Sequence, residues 1–271
     1  MTDTQALQGR DLEDYHPDFY KAILDLAGSS DYVRGHLPRY LHTLKHMPTR
    51  EQFGKGPIRV LELGTSDVFP FIIRKLLRFE EVEVSCFDSR LGKEFEKDLY
   101  EADKFGRIKG FNIDLESERI PRADGYYDMV LCFELIEHLE RDPMFMVAEI
   151  NRVLKPQGIL YLSTPNICSS RNVQKILEGY APHFHMKYNK DRALYRHNIE
   201  YSPGQMAVMM QSGGFQARKV WTADKFEPPS KKAIKLLSQG GFPTDMRGDN
   251  FFGIYEKVSG VRDRWPNDIY A

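Results

Sequence analysis

Cysteine is scarce in this chain. Cys86, Cys132 and Cys168 are the only three in 271 residues. They lie far apart, two of them in or just after predicted strands, so they read as small buried hydrophobes of a reducing compartment. A disulfide frame is excluded. An excess of either charge is missing too: 38 Lys and Arg face 39 Asp and Glu, for a net charge of -1. No overall field draws the protein to nucleic acid or to an anionic membrane, although a local patch is still open to it. No apolar run is long enough to cross a bilayer. The opening "MTDTQALQGRDLEDYHPD" is polar and acidic, with no signal-peptide core. Internal repeats and low-complexity tracts are lacking. These absences lead to the expectation of a soluble cytoplasmic protein. What the chain does have is 41% hydrophobic residues, enough to bury a core.

The pattern along the chain is that of an α/β protein. Residues 1–18 are polar. From Phe19 to His46 the spacing is helical, with Tyr20, Ile23, Leu24, Leu26 and Ala27 on one face and Val33, Leu37, Tyr40, Leu41 and Leu44 on another. "MPTREQFGKGP" breaks the pattern. Five strands follow: "IRVLELG", "VEVSCFD", "IKGFNID", "YDMVLCF" and "GILYLSTPN". Between them "VFPFIIRKLLRF", "LGKEFEKDLYEADKF" and "DPMFMVAEINRVLK" read as helices, the last closed by Pro156 and Gly158. Alternation of this kind implies parallel strands and right-handed crossovers. "ARKVWTADKF" and "NFFGIYEKV" add two strands that can pair antiparallel. The expected organisation is an N-terminal helical extension over 1–56, an α/β domain over 57–260 with an insertion at 167–201, and a tail over 261–271.

In an open parallel sheet, ligands bind beyond the carboxyl ends of the strands. The first strand ends in "VLELGTSD", offering Glu62, Gly64, Thr65 and Ser66. Gly64 permits a sharp turn and close approach of a ligand. The next helix would present free N–H groups. The second strand ends at Asp88, roughly two dozen residues after the glycine, where a carboxylate suits a ribose diol. The third ends near Asp114. Each acid alone is ordinary turn chemistry; three at consecutive strand ends make a pattern. A nicotinamide cofactor fits worse, because "GTSDVF" lacks the spaced glycines that seat a pyrophosphate.

In order, "VLELGTSD", "CFD", "NIDLE", "YYDMVLCFELIEHL" and "LKPQGILYLSTPN" resemble a class I S-adenosylmethionine (SAM)-dependent methyltransferase over residues 58–258. That resemblance implies a Rossmann-like, seven-stranded, mostly parallel sheet with helices on both faces. By resemblance, Glu62, Gly64, Thr65 and Ser66 belong to the loop around the methionine part of SAM. Asp88 would hold the ribose hydroxyls. Asp114 with Leu115 would frame the adenine, and Phe133 would stand at the fourth strand's cofactor edge. Ser66 and Val68 stand where the family carries further glycines.

"CFELIEHLERD" puts Glu134, Glu137 and His138 within five positions, on one face if helical. A charged first helical turn is the plain explanation. The alternative is a site, since two carboxylates and an imidazole can seat a divalent ion. "ExxEH" here, followed by "STPN" and a later His, resembles two groups. One is the small-RNA 3′-end ribose methyltransferases; the other is the ubiquinone-type and sugar O-methyltransferases. In the first group two Glu, the His and a distant His hold Mg²⁺ or Mn²⁺. The matching distant residue is His197 in "RHNIEYS", with His183 and His185 as rivals. Without a metal, His138 is the best general base, oriented by Glu134 or Glu137.

The segment 170–201 is expected over the crevice. Lys187, Lys190, Arg192 and Arg196 make it basic, and Tyr180, Phe184, Tyr188, Tyr195 and Tyr201 give stacking faces. Three functional readings follow. The first is O-methylation of a sugar, glycan or sugar-containing metabolite, with SAM and a divalent cation such as Mg²⁺. The second is O-methylation of a quinone precursor or an RNA 3′-terminal ribose; the near-neutral charge and the lack of an appended RNA-binding module count against RNA. The third is a SAM-binding domain without catalysis. The N-terminal helices serve as a cap on the acceptor side or as a homodimer contact.

Overall fold

The structure, a computed structural model, describes residues 21, 23, 31–65, 68–75, 77–88, 90–98, 107–183 and 196–271. The predicted helical positions Tyr20, Leu24, Leu26 and Ala27 lie outside these residues, as do Ser66, Phe184, His185, Lys187, Tyr188, Lys190, Arg192 and Tyr195.

Two short helices, α1 (Asp31–Gly35) and α2 (Leu37–Lys45), lead in. Pro38 sits in the first turn of α2, where its missing N–H costs nothing. Then β1 (Arg59–Leu63), α3 (Val68–Lys75), β2 (Glu81–Cys86), β3 (Glu94–Asp98) and β4 (Arg107–Asn112) follow. After them come β5 (Tyr127–Phe133), α4 (Pro143–Val153), β6 (Leu154–Pro165) and α5 (Ser170–Leu177). The chain closes with α6 (Pro203–Ser212), β7 (Phe215–Ala223), α7 (Lys231–Gln239) and β8 (Asn250–Lys257).

The strands form one sheet in the order β3-β4-β2-β1-β5-β6-β8-β7. Its five central strands run parallel. β8 and β7 pair antiparallel beyond β6, as the sequence pattern anticipates. Among the described residues the sheet has eight strands rather than seven. The extra one is β3, from a stretch expected to be helical over 91–105. "EFEKD" has a single apolar residue, Phe95, among four charged ones, which suits a solvated edge strand as well as a helix face. It pairs antiparallel with β4, and the Phe95 ring lies where a side chain on Gly110 would be, so the glycine makes the pairing possible.

Both faces of the sheet are covered. In β5, Met129, Leu131 and Phe133 point into a core with Tyr40, Leu41 and Leu44 of α2 and Phe69 and Ile72 of α3. Val130 and Cys132 point into a second core with Met146, Val147 and Ile150 of α4 and Met206 and Met209 of α6. Alternation between two buried faces explains why "YDMVLCF" is apolar everywhere but at Asp128. Helix α4 starts at Asp142, whose side chain accepts from the Phe145 N–H, with Pro143 in the first turn. It ends at Val153, earlier than expected; Pro156 and Gly158 belong to the irregular start of β6.

Candidate functional site at the carboxyl edge of the sheet

Parallel order brings the ends of β1, β2, β4, β5 and β6 to one edge. The antiparallel β8 begins there as well, because Asn250 pairs with Pro165. Most sequence-predicted residues gather along this edge.

At the end of β1, Glu62 is buried and accepts a hydrogen bond from Thr65 Oγ1 at 3.0 Å. Gly64 has φ +65, a conformation that disfavours any side chain. Thr65 N–H donates to the Ser85 carbonyl of β2 at 3.0 Å, which folds the loop back over the sheet. Asp88, just past β2, is held by Arg90: the guanidinium and the Arg90 N–H both donate to it. Those bonds keep its carboxyl low, at about 2. Its backbone is clamped by Asn112, which accepts from the Asp88 N–H and donates to its carbonyl. Asp114 lies two residues beyond β4 and accepts from Glu116 N–H, Ser117 Oγ and Arg141 Nη2. Leu115 is half-buried against the second core. The Phe133 side chain is in the first core, 4.7 Å from the Phe69 ring and 4.9 Å from Tyr161. Its side chain packs in that core, and its backbone ends β5.

"FELIEH" is not an α-helical turn, which corrects the expectation that Glu134, Glu137 and His138 share a helix face. Glu134 takes φ +50, in the left-handed region, and a single 3₁₀ turn covers Ile136–His138. A non-glycine residue held there marks a backbone that its surroundings overdetermine. Glu134 accepts from Ser163 Oγ at 2.6 Å and from Asn250 Nδ2, which is 3.0 Å from each carboxylate oxygen. Glu137 is fully buried. Its Oε2 accepts from Thr164 Oγ1 at 3.0 Å, while Oε1 has no hydrogen-bond partner among the described residues. Burial, and then the charge of Glu134, push the Glu137 carboxyl well above the usual range.

The segment 196–200 is strapped onto this turn. Asn198 N–H donates to the Glu137 carbonyl at 2.7 Å and Asn198 Nδ2 to the His138 carbonyl at 2.8 Å. These bonds bring His197 to His138, with ring centroids 5.1 Å apart. His138 Nδ1 lies 3.1 Å from the Arg196 carbonyl. His197 Nδ1 lies 2.7 Å from the buried carboxylate of Glu200. A carbonyl or carboxylate oxygen only accepts, so each Nδ1 carries the hydrogen and each lone pair is on Nε2. Glu137, His138 and His197 offer ligand atoms that all lie within 4.8 Å of one another. Glu134 is outside that group, and so is His183, whose carbonyl accepts from Lys175.

Four further residues act on the carboxylates without a local signal in the sequence. Tyr32, His36 and Arg39, from α1, α2 and the turn between them, feel the charge of Glu134. Arg39 is buried. Burial opposes its charge, and Glu134, first among the charged neighbours, raises it again, with Glu137 contributing. Asn250, which donates to Glu134, is the fourth. An arginine in an amphipathic helix and an asparagine opening a strand carry no local sign of a site.

Residues 93–162 match the family model for a methyltransferase domain. "Probable methyltransferase PMT28" of Arabidopsis thaliana is 28% identical over 49% of this chain, which spans only 17% of that protein's length. A chain of the Haloferax volcanii complex between the Trm112 methyltransferase activator and a methyltransferase superposes with TM-score 0.54. It is 14% identical and covers 89% of this chain and 97% of its own. A SAM-dependent methyltransferase from Archaeoglobus fulgidus gives TM-score 0.52 at 14% identity, covering 82% of this chain and 93% of that one. The fold is that of the class I SAM-dependent methyltransferases. Among the described residues no helix is long and apolar enough to cross a membrane.

Proposed function

We propose that the protein is a SAM-dependent O-methyltransferase acting on a hydroxyl of a sugar, glycan or sugar-containing metabolite, with a divalent ion at Glu137, His138 and His197. The observation that carries this reading is the orphaned Oε1 of Glu137, buried 3.9 Å from His138 Nε2. A buried carboxylate oxygen with no donor is costly. Beside two imidazoles whose Nδ1 atoms are already engaged, it fits a cation, because a metal-bound His characteristically ties its other nitrogen to a carbonyl or carboxylate. Glu200 and the Arg196 carbonyl serve that purpose here.

SAM, when bound, supplies a methyl group on a sulfonium. Gly64 and Thr65 would face its methionine part, and Asp88 would exchange Arg90 for the ribose hydroxyls, with Asp114 and Leu115 near the base. A divalent ion, when bound, lowers the pKa of a coordinated hydroxyl and fixes its direction. The chain's own share is placement. Ser163, Thr164 and Asn250 hold the carboxylates still, and the 196–200 strap sets the second imidazole. Orientation of this kind accounts for up to roughly 7–11 kcal/mol of a barrier. With no ion bound, His138 Nε2 is the lone-pair nitrogen that takes the hydroxyl proton.

The test is calorimetry with SAM and its demethylated product, followed by labelled methyl transfer to a panel of sugars, quinols and RNA 3′ ends. Transfer to sugars that is abolished by EDTA and by His138→Ala, with SAM binding retained, is the expected result. Transfer to quinols or RNA ends instead replaces the acceptor class. SAM binding without transfer to any of them points to a binding module, and an absence of SAM binding removes the reading altogether.

A further inference from the structure

Two helices outside the site are built to one plan. α5 and α7 pack against each other. Each opens on a serine whose side chain accepts from the backbone N–H three residues on: Ser169 from Asn172, and Ser230 from Ala233. The Ser230 N–H donates to Ser170 Oγ at 3.0 Å, so the two helices start from one buried joint. They also end alike. Gly179, with φ +81, and Gly241, with φ +73, turn the chain out of the last turns. The Tyr180 N–H then donates to the Lys175 carbonyl at 2.8 Å, and the Phe242 N–H to the Leu237 carbonyl at 2.9 Å. Such a closure fixes the next side chain at the helix end, where it ordinarily packs against an apolar neighbour. Here both rings are largely in solvent, Tyr180 at 70% exposure and Phe242 at 63%.

Ile176, Leu177 and Leu236, from the same last turns, are exposed as well. The helices have eight and nine residues, so from a common start their far ends fall together. Five large apolar side chains at one place exceed the single exposed residues of an ordinary surface.

The charge beside them is of one sign. Lys231, Lys232 and Lys235 of α7 are all exposed, and residues 228–244 contain no Asp or Glu. Lys232 and Leu236 stand one turn apart on the same face. This is a local basic patch on a chain whose net charge is -1. Lysine is depleted from the centres of protein–protein interfaces. Lysine next to exposed leucine and phenylalanine is instead the composition of a helix lying in the headgroup region of a bilayer. Rings and aliphatic chains enter the acyl boundary there, while ammonium groups stay among acidic headgroups.

We propose that the ends of α5 and α7 are a docking surface for an anionic membrane, entered by Tyr180, Leu236 and Phe242 and held by Lys231, Lys232 and Lys235. The attachment is peripheral, since no helix among the described residues can span a bilayer. The surface hangs from the edge of the sheet that carries the site. The Ser170 N–H donates to the Arg247 carbonyl at 2.8 Å, and the Asn166 N–H to the Asp249 carbonyl at 2.9 Å. Asn250, the next residue, holds Glu134. The inference needs neither the acceptor nor the ion given under Proposed function.

The experiment is flotation of the purified full chain with vesicles of phosphatidylcholine alone, and of phosphatidylcholine with about 30% phosphatidylserine. Wild type is expected to float with the acidic vesicles, to bind neutral ones at least roughly tenfold more weakly, and to be released by high salt. The Lys231→Gln/Lys232→Gln/Lys235→Gln variant should bind acidic vesicles roughly 100-fold more weakly. Tyr180→Ser/Phe242→Ser should lose roughly tenfold or more. Phe242→Trp should keep binding, and its fluorescence should shift to the blue on acidic vesicles relative to wild type. All these changes are at exposed side chains, so urea midpoints and SAM binding should be kept. If the serine variant folds poorly, the lysine variant and Phe242→Trp carry the test.

A wild type that does not float with acidic vesicles overturns the proposal. Equal binding to neutral and acidic vesicles does so too, because the lysines then have no part. Flotation retained by the lysine variant places the contact on another surface, and Phe242→Trp without a blue shift removes the insertion. Sedimentation velocity without vesicles tests the rival occupant. A monomer is expected; a dimer that Tyr180→Ser/Phe242→Ser dissolves would give the surface to a second copy of the chain and overturn the membrane reading.

Discussion

Asn250 sets its side-chain amide 3.0 Å from both carboxylate oxygens of Glu134, although 116 positions separate the two residues. The contact exists because β8 runs antiparallel to β6, so its first residue arrives at the edge where β5 ends. A single amide therefore fixes a carboxylate whose backbone already occupies the left-handed region.

Replacing Asn250 with Ala leaves Glu134 one donor short in a partly buried place. The expected cost is about 1–3 kcal/mol. Asn250→Asp should cost more, because it faces one carboxylate with another. Urea midpoints at constant slope measure both; equal stability of all three proteins would remove Asn250 from the cluster's support.

Gly64→Ala puts a side chain at φ +65. The added Cβ meets Leu135 Cδ1 at 2.9 Å, a flexible tip that can move aside, so the conformational cost dominates. About 1–2 kcal/mol of stability should be lost, with weaker SAM binding by calorimetry. Unchanged SAM affinity would show that this turn does not shape the cofactor site.

Asp88→Asn should weaken SAM binding roughly tenfold, by replacing a charged acceptor with a neutral one. Arg90→Ala should leave the affinity unchanged or improve it, since Arg90 currently engages Asp88. A loss in Arg90→Ala as large as in Asp88→Asn would mean that the pair acts together on the ligand.

His42 and His46 give the protein an acid-sensitive contact. Trp221 Nε1 donates to His42 Nε2 at 2.9 Å, and Lys219 Nζ lies 3.2 Å from His46 Nδ1, so both rings act as acceptors and must be neutral. Burial, then Lys225, lowers His42 to about 3. Burial, then Lys219, lowers His46 to about 4. Unfolded, both titrate near 6.5, so at lower pH the unfolded chain binds protons that the native state refuses. Their contribution is complete above that value and declines as pH falls toward the folded pKa values. Urea unfolding between about pH 7 and pH 5 should show falling stability, with a shallower decline in His42→Gln. An identical pH slope in the variant would exclude His42 as a source.

Glu200→Gln tests the strap. A neutral amide polarises His197 less than a buried carboxylate does, so Mn²⁺ affinity should fall roughly 10-fold to 100-fold with the fold intact.

The sheet's central order was legible because periodicity reports burial directly. "YDMVLCF" is apolar at every position but one since both of its faces are covered. The edge strand β3 was read as a helix because "EFEKD" carries too few residues to separate one period from another. Helices α6 and α7 have weak patterns: α6 carries Ala207 and Val208 off the face of its buried Met206, Met209 and Met210, and α7 buries only Ala233. At the site, "FELIEH" and His197 stood out as residue types, but their geometry did not follow from spacing. A helix would have put both glutamates on one face, whereas the left-handed Glu134 turns them to different partners.

By itself the sequence determined the alternation of strands and helices, the glycine turn after β1 and the chemical types available at the strand ends. These follow from local physics: side-chain period, turn conformation and the donor or acceptor character of each residue. Only the tertiary structure decided that Glu137, His138 and His197 converge while Glu134 pairs with Asn250 and Ser163. Those relationships join residues that are remote along the chain, and strand order and helix docking set the distances over which charge and hydrogen bonding act.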